Sequence, residues 1–559
     1  MTTIPLAETP IINSTTSFGV TKGTTRHHDW SPTVQRWGCT LPELHVWLDY
    51  LECLQTRYKR LLQHRLPYEL TLLVVISSLL FVWLLRSSRK PPNFPPGPSG
   101  WPIIGDLDIL FRRDMTLQKF TQTMGRIYGP VIGFKFGSIP VVLVGSIDKL
   151  KEVISECPEA ITVRPRDQMQ ITTDVFTLGG HIQGLTWSNG KDWKDLRKFS
   201  MRYLKNFGMG KREFEPEIKD EAKLLVQELL KYEGKPLSPE KIVQVAVANV
   251  IARIMFSKRF SFDDKEYLQV LDSFEQFSRA PMFLSPFNFL LSWLIGWKIV
   301  KDTKDALEHI DIWLEKQAKM QMPTFHQNTM RNFADFFLMK DQENEPEGNL
   351  FHRRNVRRLL ADVYKGGTQT TFGTMLWTLI YLIRNPEVQK RCREEIGKVV
   401  GFSQEPSYYK HRADLPYTVA TVRETQRLCS IAPITAHGVN EKAVNICGYT
   451  VPAGTLILVN IMGIHTDPDY WQDPFKFNPD RWLDTEGKLK DKQAFIPFTT
   501  GPRSCIGEQL SKVELFVFTA TLLQQLTFRV VGRNKLPSME TRAGAILLPE
   551  PFQLIVESG

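Results

Sequence analysis

Closely spaced cysteine pairs are absent from this sequence. Its seven cysteines are scattered along 559 residues, and none forms a CxxC pair. This spacing excludes the usual structural zinc and iron–sulfur sites and indicates reduced, intracellular material. Zinc-finger spacing and basic–aromatic repeats are missing too, so the net charge of +10 favours an anionic membrane or an acidic protein partner over nucleic acid.

Long apolar runs are also scarce, and one stretch stands out. Leu70–Leu85 carries no charge over sixteen residues. As a helix it would be roughly 24 Å long, somewhat less than a hydrocarbon layer of about 30 Å. Arginine and lysine flank it on both sides, so the charge bias leaves its orientation open. We predict a transmembrane anchor over residues 66–86, with a buried core helix as the alternative.

The anchor divides the chain into unequal parts. Residues 1–65 are predicted to form an N-terminal extension that is partly disordered, because residues 1–40 are rich in Thr, Ser and Pro. An apolar helical face between residues 44 and 62 predicts an amphipathic helix, lying either on a membrane surface or on the main domain. Prolines crowd residues 87–105 and predict a stiff, Pro-rich linker.

Residues 106–559 are predicted to form one large domain that is mainly α with a small β region. Helical periodicity dominates, as in Lys219–Tyr232 and Pro386–Val399. Short strand-like runs occur at Val131–Phe136, Pro140–Val144 and Thr455–Asn460.

A solitary cysteine, Cys505, lies in the stretch PFTTGPRSCIGEQL near the C-terminus. A thiolate serves as a soft-metal ligand or a nucleophile, whereas most isolated cysteines are buried structural residues. Glycines at 501 and 507 let backbone N–H groups approach the sulfur, and a helix beginning near Glu508 would direct its positive end toward it. No histidine stands out as the base that a cysteine nucleophile needs, so a metal ligand and a buried structural cysteine are the interpretations that remain.

The pattern Phe498-x-x-Gly501-x-Arg503-x-Cys505-x-Gly507 resembles the haem-binding loop of the cytochrome P-450 family of haem-thiolate monooxygenases. The stretch Gly184–Arg212 and the pair Glu508-Gln509 are similar to the animal microsomal branch that includes the family-2 hydroxylases. The resemblance implies the cytochrome P-450 fold, with a single large haem domain behind an N-terminal membrane anchor. It also implies that Cys505 is the metal ligand of haem b, an iron protoporphyrin IX.

Residues that would hold the haem follow from the same resemblance. Trp193-x-x-x-Arg197 places two side chains on one helical face. In the family this pair meets a haem propionate. His437, by its place after Pro433, and Arg503 are further implied contacts of the propionates.

A structural motif of the family is present as well. Glu424-x-x-Arg427 and the arginine of FNPDRW, Arg481, match its Glu–Arg–Arg cluster. A buried carboxylate needs charge compensation, and two guanidinium groups provide it in a planar, multidentate form. The resemblance implies that this cluster stabilises the region behind the haem.

The segment KGGTQTT, Lys365–Thr371, resembles the family's distal oxygen-binding groove. Adjacent glycines weaken a helix by roughly 1 kcal/mol each, and the Thr370 hydroxyl can compete for the Gly366 carbonyl. The resemblance implies that Thr370 is catalytic and handles the distal proton, and it places Gln369 where relatives have an acid. Glutamine cannot donate an ionisable proton. Three readings remain: delivery through Thr370 and water alone, poor coupling with peroxide leakage, or rearrangement of peroxides.

Lys365 is a second departure, because related sequences tend to have a bulky apolar residue there. Lys365 and Gln369 share a helical face. A buried ammonium group is costly unless it is paired. Lys365 is therefore expected either to meet an anionic substrate group, such as a fatty-acid carboxylate, or to pair with Asp362 or reach away to solvent.

The resemblance implies an enzyme that inserts one oxygen atom from O2 into a lipophilic substrate such as a fatty acid, steroid or xenobiotic. Electrons would come from NADPH indirectly, through NADPH-cytochrome P-450 reductase, with cytochrome b5 as a further candidate partner. The expected location is the endoplasmic reticulum membrane, single-pass, with a cytoplasmic catalytic domain and no nucleic-acid partner. The predicted docking face for the reductase consists of Lys198, Arg202, Lys205, Lys211, Arg212 and Lys512.

The apolar segment Pro281–Trp297 resembles the family's lid, and it favours lipophilic substrates that enter from a bilayer. Two rival functions stay open. A haem-thiolate isomerase would convert a hydroperoxide without NADPH. A non-catalytic haem or lipid carrier would bind its ligand and consume no NADPH.

Overall fold

The computed structural model describes the chain over residues 41–88, 90–101, 105–106, 117–137, 139–165, 184–279, 297–326, 329–343, 346, 349–438, 442–532, 536–542 and 544–559. The chain divides into two compact units, residues 1–81 and 82–559. The predicted disorder of residues 1–40 and nearly all of the predicted lid lie outside the described residues.

Helix α1 (Leu41–Ser88) accounts for the described part of the first unit and extends a few residues beyond it. The predicted amphipathic helix and the predicted anchor are parts of this one helix, which runs through Pro67 without a break. Large apolar side chains between Leu70 and Trp83 are exposed to solvent. Within the described residues, no helix combines the length and the apolar character that crossing a membrane requires.

The second unit is mostly helical, as predicted. Its described α-helices are α2 (Leu117–Tyr128), α3 (Ile147–Glu156), α4 (Glu159–Thr162), α5 (Gly184–Trp187), α6 (Gly190–Asn206), α7 (Glu215–Leu230), α8 (Glu240–Phe256), α9 (Lys265–Ser278), α10 (Trp297–Lys319), α11 (Phe333–Glu343), α12 (Arg353–Arg384), α13 (Pro386–Val399), α14 (Tyr408–His411), α15 (Pro416–Cys429), α16 (Ile461–His465) and α17 (Glu508–Gln525). The helix predicted from residue 219 to 232 is α7, four residues earlier at its start, and α13 has the predicted bounds.

The strands form three small sheets. They are β1 (Val131–Phe136), β2 (Ile139–Val144), β3 (Pro236–Leu237), β4 (Ile434–Gly438), β5 (Val444–Ile446), β6 (Tyr449–Val451), β7 (Leu456–Asn460), β8 (Leu526–Val530) and β9 (Leu554–Ser558). The largest sheet has the order β1-β2-β7-β4, with β2 and β7 parallel and the other pairs antiparallel. All three strand-like runs of the sequence analysis lie in this sheet, which confirms the predicted β region.

The main core lies where the long helix α12 packs against α8. Helix α8 is buried on nearly every side, in keeping with its run of Val, Ala and Ile. A glycine allows the close approach, because a Cβ at Gly367 would lie only 2.4 Å from Ile251 Cδ1. A Cβ at the preceding Gly366 would meet nothing within 4 Å. The two adjacent glycines therefore have different roles. Gly367 allows α8 to pack closely against α12, whereas Gly366 leaves space on another side of α12.

Candidate active site

Cys505 lies at the end of a tight loop that leads into α17. Its backbone N–H donates to the Phe498 carbonyl at 3.0 Å, and the Ser504 N–H donates to the Gly501 carbonyl at 3.1 Å. Gly501 has φ +82°, a left-handed conformation that favours glycine. Helix α17 begins at Glu508 with Gly507 as its N-cap, as the sequence predicted. The loop therefore places the sulfur beside the N-terminus of a helix of 18 residues.

The Cys505 side chain is surrounded by protein but has accessible surface, because it lines an internal cavity. Burial raises the pKa of its thiol above the ordinary value, while the backbone N–H groups of Gly507 and Glu508 and the charge of Arg197 act to lower that pKa. Desolvation therefore opposes the thiolate more strongly than these neighbouring groups favour it. A bound cation would favour it, because a coordinating thiol is deprotonated.

Helix α12 forms another wall of the same cavity. Gly366 and Thr370 both line it, and the Thr370 hydroxyl donates to the Gly366 carbonyl at 2.8 Å, as predicted. The helix itself is continuous through the glycine pair. The cavity comprises about 1320 Å³ of space between protein atoms, part of it open to solvent. Cys505 and Thr370 are therefore brought together in one site.

Gln369 and Lys365 are not among the residues that line this cavity. The Gln369 side chain is fully buried, and neither atom of its amide has a hydrogen-bond partner in the described part of the chain. The Lys365 Nζ lies 4.1 Å from the centroid of the Phe277 ring. Burial lowers the Lys365 pKa to about 8, and the negative charge of Asp362 partly offsets this. The predicted role of Lys365 toward a substrate carboxylate gains no support from this position.

Three buried or half-buried arginines form a cluster beside the loop. The Arg503 guanidinium donates to the carbonyls of Thr162 at 2.8 Å and Ser188 at 2.6 Å. Arg197 donates to the Ser504 hydroxyl at 3.3 Å, next to Cys505. Arg164, which was not predicted from the sequence, donates to the Ala436 carbonyl at 2.6 Å. Its only sequence signal is an Arg-Pro pair after a short helix.

The arginine cluster carries excess positive charge. Burial lowers the pKa of Arg503, and repulsion from Arg164 and Arg197 lowers it further. Within the described residues, none of these three arginines forms a salt bridge to a carboxylate. Buried charges are normally paired, so the cluster has the electrostatics of a site for an anionic ligand.

The remaining predicted contacts, Trp193 and His437, join this cluster. The Arg503 guanidinium carbon lies 4.1 Å from the Trp193 ring centroid, a cation–π contact. His437 Nδ1 lies 3.1 Å from Arg164 Nη1 and accepts its hydrogen bond, and Nε2 lies 3.3 Å from the Thr435 hydroxyl. Burial, with the charges of Arg164 and Arg503, lowers the pKa of His437 well below its ordinary value. A neutral His437 can thus donate from Nε2.

The predicted Glu–Arg–Arg cluster forms as expected. Glu424, which is fully buried, accepts from Arg427 Nε at 2.9 Å and Nη2 at 2.8 Å. It also accepts from Arg481 Nε at 2.9 Å and from Trp482 Nε1 at 3.0 Å. The Asn478 backbone N–H is a fifth donor, at 3.0 Å, so both carboxylate oxygens accept at least two hydrogen bonds, and such satisfaction lowers the cost of burying the ion pair.

His465 connects this cluster to the segment that precedes the cysteine loop. The Arg427 guanidinium donates to the His465 carbonyl at 2.7 Å. The imidazole Nε2 accepts from the backbone N–H of Ile496 at 3.0 Å, and Nδ1 lies 2.9 Å from the Ser430 hydroxyl. Because Ile496 donates to Nε2, that nitrogen holds no proton, and the ring is neutral with its proton on Nδ1.

We expect this buried histidine to make the fold sensitive to acid. Burial and the Arg427 charge lower the His465 pKa to about 3, compared with about 6.5 in an unfolded chain. The neutral His465 makes its full contribution to the free energy of unfolding above pH 6.5. This contribution is lost as the pH falls toward 3, by up to about 1.4 kcal/mol per pH unit. Between pH 7 and pH 5, the free energy of unfolding measured in urea should therefore fall by about 2 kcal/mol more in the wild type than in His465→Gln. Equal pH dependence in both proteins would contradict this.

The site residues fit an iron macrocycle that carries carboxylates. A thiol at the cavity wall supplies a soft ligand for the iron. The unpaired arginine cluster beside the cavity supplies donors for the carboxylates, with Thr435 linking His437 to the cavity lining. Haem bound by Cys505 would supply the oxygen chemistry, and the chain would supply its binding, its orientation and its protons.

Comparisons with known proteins agree with this geometry. The family model described as Cytochrome P450 matches residues 95–556. Cytochrome P450 2U1 of Bos taurus is 32% identical over 517 residues, which cover 87% of this chain and 93% of the relative. Cytochrome P450 2J5 of Mus musculus is 32% identical over 493 residues, covering 87% and 95%. Cytochrome P450 2B19 of Mus musculus is 31% identical over 502 residues, covering 88% and 99%. The chain belongs to the cytochrome P450 family and resembles its family-2 members.

Proposed function

We propose that this protein is a membrane-bound haem-thiolate monooxygenase that inserts one oxygen atom from O2 into a lipophilic substrate. The observation that carries the proposal is a single cavity lined by Cys505 and Thr370, with the unpaired arginine cluster beside it. Electrons come from NADPH through a flavoprotein reductase. The cavity wall is largely apolar, with side chains such as Ile251, Ile254 and Leu510, which suits fatty acids, steroids or xenobiotics.

A two-part experiment tests the proposed class. The reduced, purified protein should give the carbon monoxide difference spectrum of a thiolate-ligated haem. With reductase and NADPH it should then hydroxylate a lipophilic substrate and incorporate one atom of ¹⁸O₂. Conversion of a hydroperoxide without NADPH, and no incorporation of ¹⁸O₂, would favour the isomerase. Ligand binding without NADPH consumption would favour the carrier.

We assign the haem carboxylates to the arginine cluster, and Arg197 is the residue that tests it best. The Arg197 guanidinium donates a long hydrogen bond of 3.3 Å to the Ser504 hydroxyl, so replacing Arg197 disturbs few other contacts of the protein. Arg197→Gln should transfer haem to excess apomyoglobin roughly 10- to 100-fold faster, because a charged donor to a carboxylate is removed. Arg202→Gln, an exposed residue further along α6, is the matched control and should match the wild type.

We assign reductase docking to the basic face predicted from the sequence. Lys198, Arg202, Lys205, Lys211 and Arg212 are exposed, whereas Lys512 is paired with Glu508 at 2.6 Å. The double variant Lys198→Glu/Arg202→Glu should raise the KM for reductase about tenfold at low ionic strength and weaken its salt dependence. Charge reversal on the remote helix α13, Lys390→Glu/Lys398→Glu, is the control. Salt-independent turnover of the wild type would exclude electrostatic docking.

We place the protein in the endoplasmic reticulum membrane, with residues 66–86 as a single-pass anchor and the catalytic unit in the cytoplasm. The supporting observations are the uncharged run of sixteen residues and the exposed apolar side chains from Leu70 to Trp83. If residues 66–86 are the anchor, the full chain should resist extraction from membranes by carbonate, and deletion of residues 1–86 should abolish that resistance. Extraction of the full chain by carbonate would exclude a spanning anchor.

A further inference from the structure

The first half of α1 has an apolar stripe that the proposed function does not use. Its described members Leu51, Leu54 and Tyr58 are 56%, 44% and 66% exposed. Single exposed apolar side chains are ordinary, whereas a continuous stripe of them on one helix marks an interaction surface. The stripe precedes residues 95–556, the range that the cytochrome P450 family model matches, so the family fold does not account for it.

The stripe has the spacing of a two-stranded coiled coil. In the sequence, residues 44, 47, 51, 54, 58 and 61 are all apolar and are separated alternately by three and four positions. They are the a and d positions of a heptad repeat in which residues 44, 51 and 58 are a. We call these six positions the α1 seam. The charged residues of this stretch all lie at other heptad positions, namely Asp49, Glu52, Arg57, Lys59 and Arg60.

A membrane surface cannot cover the α1 seam while residues 66–86 span the bilayer. Helix α1 has 48 residues and continues through Pro67 from the seam into the proposed anchor. A helix that crosses a bilayer is tilted by about 20° on average, whereas a helix that binds the surface lies in its plane. One unbroken helix cannot do both. At 1.5 Å per residue, residues 41–65 therefore project roughly 37 Å along the direction in which the anchor leaves the membrane.

A second copy of the chain is the partner that this arrangement favours. With the catalytic unit in the cytoplasm, a single-pass anchor places residues 41–65 in the lumen, where the cytoplasmic unit is not available to cover the seam. Two copies anchored in one membrane hold their α1 helices parallel and in register, as a symmetric dimer requires. Confinement to the membrane also raises their effective concentration, so a seam of fewer than three heptads can be enough.

The charges next to the seam are compatible with parallel pairing. In a parallel coiled coil, the g position of one helix faces the e position five residues later in the other. Tyr50 would face Gln55, and Arg57 would face residue 62, which is a leucine in the sequence. No two like charges therefore meet across the seam.

We propose that the α1 seam pairs with the α1 seam of a second copy and forms a parallel, two-stranded coiled coil on the lumenal side of the membrane. The protein is then a homodimer held together by the segment that precedes its anchor. This inference rests on the proposed membrane location, which supplies the parallel orientation. It concerns assembly and leaves the proposed reaction unchanged.

Disulfide crosslinking of the full-length protein in its native membrane tests the pairing. Leu54→Cys places a thiol at a d position, and Thr56→Cys places one at f, on the outer face. Both are made in a chain that also carries Cys39→Ser and Cys53→Ser, and copper phenanthroline is the oxidant. Leu54→Cys should give at least about tenfold more covalent dimer, because a disulfide needs Cα atoms about 5.5–6 Å apart. Equal yields from the two variants would overturn the proposal.

Copurification of two differently tagged copies tests the seam without added thiols. Leu51→Glu/Leu54→Glu puts charges into the seam and should lower copurification at least about tenfold, because buried like charges oppose pairing. The control Cys53→Glu/Thr56→Glu adds the same charges on the outer face and should match the wild type. Both variants should keep the carbon monoxide spectrum of the wild type, because the haem-site residues lie in the second unit. Undiminished copurification of the seam variant would overturn the proposal.

Carbonate extraction separates a failure of this inference from a failure of the proposed anchor. If the full chain resists extraction and Leu54→Cys crosslinks no better than Thr56→Cys, the dimer is wrong and the anchor stands. If carbonate extracts the full chain, the anchor and the argument for the dimer fail together. A photoreactive phospholipid that labels residue 54 in preference to residue 56 would show that the membrane covers the stripe, which also overturns the dimer.

Discussion

Cys505→Ser is expected to lose the thiolate-type carbon monoxide spectrum and at least about 1000-fold of NADPH-dependent turnover. The cysteine sulfur is the soft ligand that the site offers to iron, and a serine hydroxyl is a poor substitute. An alteration of roughly 4 kcal/mol in the activation barrier corresponds to this factor, at about 1.4 kcal/mol per factor of ten. The loop itself should persist, because its hydrogen bonds involve backbone atoms of Phe498, Gly501 and Ser504.

The matched control for this variant is Cys447→Ser. Cys447 is the nearest other cysteine in the sequence, it is partly exposed, and its Sγ lies 3.7 Å from the Lys149 carbonyl, outside the cavity lining. Its replacement should preserve both the spectrum and the turnover. A thiolate spectrum that remains in Cys505→Ser would mean that another sulfur is the ligand, and the proposed site would be wrong.

Local spacing in the sequence predicted much of this site. Glu424 and Arg427 stand three residues apart, so a helix places them on one face and lets them pair. The Thr370 hydroxyl reaches the Gly366 carbonyl for the same reason. The loop around Cys505 follows from its glycines and from a helix that begins at Glu508. Each of these contacts depends on short sequence separations.

Contacts between distant segments could not be predicted in this way. Arg164 belongs to the arginine cluster because it reaches Ala436, 272 residues away, and the sequence around it gives no sign of that contact. Gln369 was expected at the cavity from the resemblance to the family's distal groove, but its side chain is fully buried and is not among the cavity-lining residues. Which side chains enter a cavity is decided by tertiary packing, which periodicity does not describe.

Opposing electrostatic effects act on the Cys505 thiol. The glycines and the helix N-terminus act on the thiol as expected, but desolvation is larger, and it raises the pKa. Sequence patterns indicate which groups lie near a site. The free-energy cost of desolvating a charge there depends on all the residues that surround it. Desolvation also lowers the pKa of Arg503, and repulsion from Arg164 and Arg197 lowers it further.

Glu424→Ala is expected to destabilise the fold by about 3–5 kcal/mol, the typical cost of removing one partner from a buried ion pair. The two guanidinium groups of Arg427 and Arg481 would stay in the core without their carboxylate. Arg427 also holds His465, which accepts from Ile496 just before the cysteine loop, so the variant should release haem faster as well as unfold at lower urea concentration.

The neighbouring surface pair provides the control for Glu424→Ala. Asp480 pairs with Arg391 at 2.8 Å, and both side chains are about half exposed, at 52% and 49%. Asp480→Asn should therefore change the free energy of unfolding by no more than about 1 kcal/mol and leave haem retention unaffected. Urea unfolding followed by the haem absorbance and by far-ultraviolet circular dichroism measures both effects. If the two variants unfold at the same urea concentration, the buried cluster does not stabilise the region behind the haem, and its retention in the core needs a different cause.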